Sequence, residues 1–184
     1  MEIKSLAVET VIASLCYVLA FFLTFEALMP VQNRFFPDFY SSASLLFLPH
    51  GVRVLTAWLL GWRSIIALLP GVFFTYYYLA GEKVFMASRL MGISIAVLTA
   101  PIVFYLLAKV LRDLHPAAHR TPCWPCVMGA GVIAAVAGGI LTNLAFGSPV
   151  LDYFAFFIGD VAGLFFLMLF LMLLFRYGRR AGIR

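Results

Sequence analysis

Six apolar runs, each interrupted by no more than isolated charges, leave this chain few folds to adopt. They cover residues 5–29, 43–60, 64–80, 84–108, 127–146 and 151–175. A helix needs roughly 20 apolar residues to cross a bilayer, and most of these runs reach or approach that length. The apolar residues are continuous rather than alternating, which excludes a transmembrane β-barrel. With 64% hydrophobic and 11% charged residues, the 184-residue chain has the composition of an integral membrane protein. The expected fold is all-α: a bundle of about six transmembrane helices forming a single transmembrane domain over residues 1–184. The first run is too long for a cleaved signal and reads as a retained helix that Pro30 ends.

The net charge of +5 is a topology signal rather than a nucleic-acid footprint. Six crossings put both termini on one side, with Lys4, Arg63, Lys109, Arg112, Arg120, Arg176, Arg179, Arg180 and Arg184. Only Arg34 and Lys83 fall on the other side. That bias predicts cytoplasmic termini in a plasma (inner) membrane. The basic C-terminal tail reads as an anchor and a contact for anionic lipid.

The second run carries the strongest local signal, Phe47-Leu48-Pro49-His50-Gly51-Val52-Arg53. Pro49 lacks a backbone donor and Gly51 loosens the chain, so the helix is expected to be interrupted at Pro49–Gly51. Arg53 lies about 10 residues into the run, roughly 15 Å deep. A guanidinium there costs about 2.5–3.5 kcal/mol or more unless it meets an anion or water. Glu26, Asn143 and Asp160 fall in the outer half of their runs, and so does Arg89, about two turns into the fourth. Two acids against two arginines predict a neutral polar cluster that opens outward, with Arg53 and Arg89 meeting an anionic group and Glu26 and Asp160 holding them. His50 beside the break is placed to tune the site. Tyr76, Tyr77 and Tyr78 read as an interfacial aromatic belt. The small residues from Gly129 to Gly139 predict a helix face that packs inside the bundle.

His115, His119, Cys123 and Cys126 form H-x3-H-x3-C-x2-C in the loop between the fourth and fifth runs. These are zinc-type ligands, but twelve residues supplying all four is tight, and Pro116 and Pro122 fragment the histidine half. The preferred reading is a proline-rich turn with free thiols and no metal. A disulfide is not expected on a reducing cytoplasmic side. Cys16 reads as a small core residue.

No phosphate-cradling loop, nucleophile–base set or metalloprotease motif is present, so the chain is expected to be non-enzymatic and to need no cofactor. Two stretches carry a resemblance. Ser44-Leu45-Leu46-Phe47-Leu48-Pro49-His50-Gly51, followed by Leu59-Leu60-Gly61-Trp62-Arg63 and Leu69-Pro70-Gly71, resembles the start of the bacterial membrane-associated sensor domains of the MASE type one family. Gly159-Asp160-Val161-Ala162-Gly163 is similar to the glycine-aspartate-x-x-glycine motif near that family's last helix. The resemblance marks Pro49, Gly51, Gly159, Asp160 and Gly163. Members of that family carry more helices and a cytoplasmic output domain. It therefore implies a stand-alone sensor module that signals to a partner membrane protein; the polar cluster around Arg53 adds the expectation that it binds a small polar or anionic molecule. The alternatives are the substrate-binding subunit of a vitamin-type transporter, which similarly has six helices, and a structural accessory subunit of a larger complex.

Overall fold

The computed structural model describes residues 2–35, 44–110, 123–146 and 150–180. All the regular structure among them is helical. The chain begins with α1 (Glu2–Phe22), a π-helical turn (Leu23–Leu28) and α2 (Met29–Phe35) in one unbroken rod. Then come α3 (Leu48–Leu60), α4 (Arg63–Ala80), a 3-10 turn (Gly81–Phe85), α5 (Ala87–Val110), α6 (Trp124–Phe146) and α7 (Val150–Arg180). Five of these rods are long and apolar enough to cross a membrane; α3 is not among them.

The short α3 is the hub of the bundle. It contacts α1, α4, α5, α6 and α7, and eight of its residues are buried: Leu48, Pro49, His50, Gly51, Val52, Val54, Thr56 and Ala57. Its 13 residues rise about 20 Å. The non-helical Ser44–Phe47 stretch adds at most about 13 Å. α3 alone is therefore shorter than the roughly 30 Å of a hydrocarbon core. Gly61, at φ 56°, takes the left-handed conformation that turns the chain from α3 into α4.

Side-chain contacts fix the ends of the bundle. At one end Arg63 pairs with Glu9 at 3.1 Å, and Trp62 stacks on Tyr105 with ring centroids 5.5 Å apart. The start of α1, the α3–α4 turn and the end of α5 therefore meet there. At the other end Phe22 lies 5.1 Å from Tyr78, Phe25 6.3 Å from Phe47, and the Arg89 guanidinium 4.9 Å from the Phe146 ring.

The interruption expected across Pro49–Gly51 lies just before it. Residues 44–47 are not helical, and the helix runs unbroken from Leu48 through Gly51. Proline in a first turn costs no hydrogen bond, because that amide has no helical partner. The amides of Leu45 through Leu48 are all paired. Leu45 N–H donates to Gln32 Oε1 at 2.7 Å, and Leu46 N–H to Ser44 Oγ at 3.3 Å. Phe47 N–H donates to the Gly159 carbonyl at 2.8 Å, and Leu48 N–H to Thr24 Oγ1 at 3.3 Å. Gly159 and Gly163 of α7 lie flat against this backbone: a Cβ at either would run into the Ser44 or the Phe47 carbonyl.

The first helix continues beyond Pro30 to Phe35. The π-turn pairs the Met29 amide with the Thr24 carbonyl five residues back, which puts Pro30 in the first turn of α2. α4 absorbs its own Pro70 differently. The Ser14 hydroxyl of α1 donates to the Ala67 carbonyl at 2.8 Å and accepts from the Gly71 amide at 3.1 Å. Gly71 permits this approach, since a Cβ there would meet the Ser14 backbone at 2.8 Å. The small-residue face of α6 packs inside the bundle as expected, with Ala130, Ala134 and Ala135 buried and Gly139 against Tyr153. Cys16, expected in the core, is exposed on α1.

Two substitutions test the packing around the irregular stretch. Thr24→Val removes the acceptor of a buried amide and is expected to destabilise by about 1–3 kcal/mol. Gly163→Ala should cost about 1–3 kcal/mol by overpacking against backbone. Gly138→Ala, whose methyl would meet Thr99 at an ordinary 3.8 Å, is the control and should stay within about 0.5 kcal/mol. Thermal unfolding in detergent reads all three.

Candidate functional site

The break in the second pass decides where its polar side chains go. Because α3 starts at Leu48, His50 lies in its first turn and Arg53 one turn later. Both are on the side facing α7, where Gly51 lets α3 approach Leu164 and Leu167 closely. On α7, Asp160 sits between Gly159 and Gly163, ten residues from the helix start and so about 15 Å along it. The glycine contacts that seat the irregular backbone on α7 therefore also deliver the Asp160 carboxylate to α3.

His50, Arg53 and Asp160 form one cluster. His50 Nδ1 lies 3.3 Å from Asp160 Oδ2, and Arg53 Nη2 lies 3.9 Å from Asp160 Oδ1. Arg53 Nη2 is 3.4 Å from His50 Nδ1. On its other edge His50 Nε2 is 3.1 Å from the Gly131 carbonyl of α6. The His50 side chain is 5% exposed, against 16% for Arg53 and 14% for Asp160. Three helices are thus tied together through one imidazole.

The geometry fixes one proton and leaves another to be chosen. A carbonyl only accepts, so Nε2 carries hydrogen and donates to Gly131. Nδ1 then faces a donor, Arg53, and an acceptor, Asp160. As a lone pair it accepts from Arg53 and opposes the carboxylate. Once protonated it donates to Asp160 and repels the guanidinium. Protonation of His50 therefore shifts the cluster from net zero to net positive and turns Arg53 out of its bond. An anion arriving at Arg53 restores neutrality, which a low-dielectric interior favours.

Arg53 is poorly matched even in the first arrangement. Its contact with Asp160 is beyond hydrogen-bond length, and its buried Nε has no hydrogen-bond partner. Its guanidinium carbon lies 5.7 Å from the Phe47 ring centroid, a weak cation–π contact. A guanidinium has five donors; among the described residues its one hydrogen-bond contact is the long one to His50 Nδ1 at 3.4 Å.

The larger cluster expected from charge balance does not assemble. Glu26 lies on the π-turn and is exposed, because the turn rotates it away from α3. Arg89 is also exposed. Gly81, at φ 54°, and the 3-10 turn take up residues 81–85, so Arg89 falls in the first turn of α5 rather than two turns in. Asn143 is half-buried near the end of α6, and among the described residues no hydrogen bond joins it to the cluster. Buried neighbours replace them. Tyr17 of α1 is buried within electrostatic reach of Arg53, Thr75 and Asp160. Thr75 itself donates to the Val72 carbonyl. Tyr76 is drawn out of the belt, its hydroxyl packed on Gly92, while Tyr77 and Tyr78 stay exposed. Tyr17 lies in an unremarkable apolar run. Its only sequence signal is a phenol in mid-span, which needs a partner.

Cys123 and Cys126, expected as free thiols, are joined in a disulfide. Positions i and i+3 of a first helical turn bring the two residues together, with Cα atoms 5.2 Å apart. The bond leaves no thiolates for zinc. His115 and His119 lie outside the described residues, and among those described no group of metal ligands assembles.

A double-mutant cycle measures the central coupling. Arg53→Ala leaves Asp160 buried without its cation and is expected to destabilise by about 3–5 kcal/mol. Asp160→Asn in the same chain should recover part of that loss. Simple additivity of the two unfolding free energies would show that the residues are independent.

Comparison of the chain with protein-family models, with curated proteins and with solved structures found no match.

Proposed function

We propose that this chain is a non-enzymatic membrane sensor or binding module of the MASE-like kind, which recognises a small anionic molecule at Arg53 and passes the change to a partner membrane protein. The observation that carries this reading is the guanidinium itself. It sits among helices with one long contact to His50 Nδ1 and a buried Nε that has no hydrogen-bond partner among the described residues. Arginine at membrane depth is costly and usually marks a pathway or a ligand. A charge retained only to lock helices would be expected to sit within hydrogen-bond reach of its carboxylate; here the gap is 3.9 Å.

The mechanism follows from the choice at His50. Anion binding to Arg53 releases Nδ1 for a proton and hence for Asp160. That change pulls on Gly131 of α6 and on α7 together, so the signal is a small shift of those two helices against α3. The basic residues clustered at the end with the α1 start support cytoplasmic termini in the inner membrane, with the cluster nearer the outer face.

A second reading rests on the Gly131 bond. His50 bridges α6 and α7 at a fully packed point, as an accessory subunit held in a larger complex would require. The substrate-binding subunit of a vitamin-type transporter is the third.

Mild-detergent purification of the tagged chain, with mass spectrometry of bound proteins and small molecules, separates these readings. The expected result is a stoichiometric signalling partner and a small anion that is lost from Arg53→Gln. An ATPase module with a vitamin-like compound would replace the sensor by the transporter subunit. A large complex with no ligand, equally stable with Arg53→Gln, would make the cluster architecture.

A further inference from the structure

The Cys123–Cys126 bond stands apart from the polar cluster, at the opposite end of the bundle. Its setting differs from that of a disulfide that staples a fold. A staple gains by closing a long loop, and this one spans a sequence separation of three. It adds nothing to the topology, because the Val127 amide already bonds the Cys123 carbonyl at 3.1 Å and starts α6. Both cysteines are half-buried, while Trp124 and Pro125 between them are exposed. Cys126 packs on the core cluster that contains Val127 and Ala130. Cys123 is the residue just outside the helix. One sulfur is thus backed by the core and the other stands at the rim.

We propose that Cys123–Cys126 is a thiol–disulfide exchange site at the membrane face, whose substrate is a low-molecular-weight thiol. A substrate thiolate attacks Sγ of Cys123, and the Sγ–Sγ bond breaks. Its electron pair leaves on Sγ of Cys126, which takes the proton released by the substrate thiol. A second substrate thiolate attacks its own sulfur in the mixed disulfide and releases the oxidised dimer, leaving Cys123 as thiolate. Two thiols are oxidised and one protein disulfide is reduced to a dithiol. The sulfur that departs first, on Cys126, lies in the first turn of α6, and Cys123 sits just before it, where unpaired amides and the helix dipole favour negative charge. The exchange rests on the cytoplasmic orientation proposed above, because a reducing compartment keeps such bonds transient.

The test uses the full chain with Cys16→Ala as background. The purified protein is equilibrated in graded mixtures of reduced and oxidised glutathione, quenched in acid and alkylated with a mass-tagged maleimide. The pair should pass from disulfide to dithiol within the series. A pair that stays oxidised throughout, as a staple would, overturns the proposal, and so does one that never oxidises. Under oxidised glutathione, Cys126→Ser should accumulate about tenfold more glutathione adduct than Cys123→Ser, because the Cys126 sulfur is backed by the core cluster and the Cys123 sulfur is not. Equal adduct on both variants contradicts the assigned roles. Orientation is read separately. A membrane-impermeant maleimide should label the reduced pair only after the cells are opened. Labelling of intact cells would reverse the orientation, while the glutathione series would still decide the exchange.

Discussion

Leu45, Leu46, Phe47 and Leu48 bring four amide hydrogens into the bundle without a helix to receive them. Each unpaired amide in such a setting costs several kcal/mol. Their acceptors come from four places: the Gln32 side chain, the Ser44 hydroxyl, the Gly159 carbonyl and the Thr24 hydroxyl. Much of the architecture follows from that requirement. The π-turn buries Thr24, whose hydroxyl donates to Ala20 and so keeps a lone pair for Leu48. The rod must continue past Pro30 so that Gln32 reaches Leu45. α7 must present glycine at 159 and 163, since any side chain there would hold the irregular backbone away from its acceptor.

The charged cluster is a product of the same contact. With α3 starting inside the bundle, its first two turns face α7, and the residue beside Gly159 is Asp160. A straight helix over residues 43–60 would carry His50 and Arg53 at other angles and leave no reason for α7 to come so close. The imidazole is caught between a guanidinium and a carboxylate with one ring nitrogen to serve both. That arrangement has two states of similar connectivity, which is the physical basis of a switch.

Much of this was legible in the residues, for identifiable reasons. The apolar runs marked the spans because lipid demands continuous hydrophobicity. Arg53 and Asp160 stood out because charge is rare there, and the structure pairs them. Glu26 and Arg89 were assigned to the same cluster by counting charge, which is blind to helix phase. One π-turn rotates Glu26 out, and one left-handed glycine at position 81 shifts where α5 begins. Proline misled in two ways. Pro30 looked like a stop and Pro49 like a break, yet both sit in first turns where a missing amide is harmless. Thr24 and Ser14 carried no visible signal because a single hydroxyl in an apolar run has the same appearance whether or not a distant backbone atom needs it. The disulfide was set aside on grounds of compartment, while the i, i+3 geometry of a helix start was the stronger constraint.

The bond from Phe47 to Gly159 joins residues 112 positions apart (159 − 47). A ribosome adding roughly 5–20 residues per second takes about 6–22 s to cover that interval. During that time the hub helix is already made, but one amide of its entry strand has no acceptor and its arginine has no acid. The second pass therefore cannot settle into the bilayer in its final form on its own. Its full set of partners exists only once the last helix is in place. Biogenesis of this bundle is closed from the C-terminus, and a chain truncated before Gly159 would lack the surface on which its own centre is built.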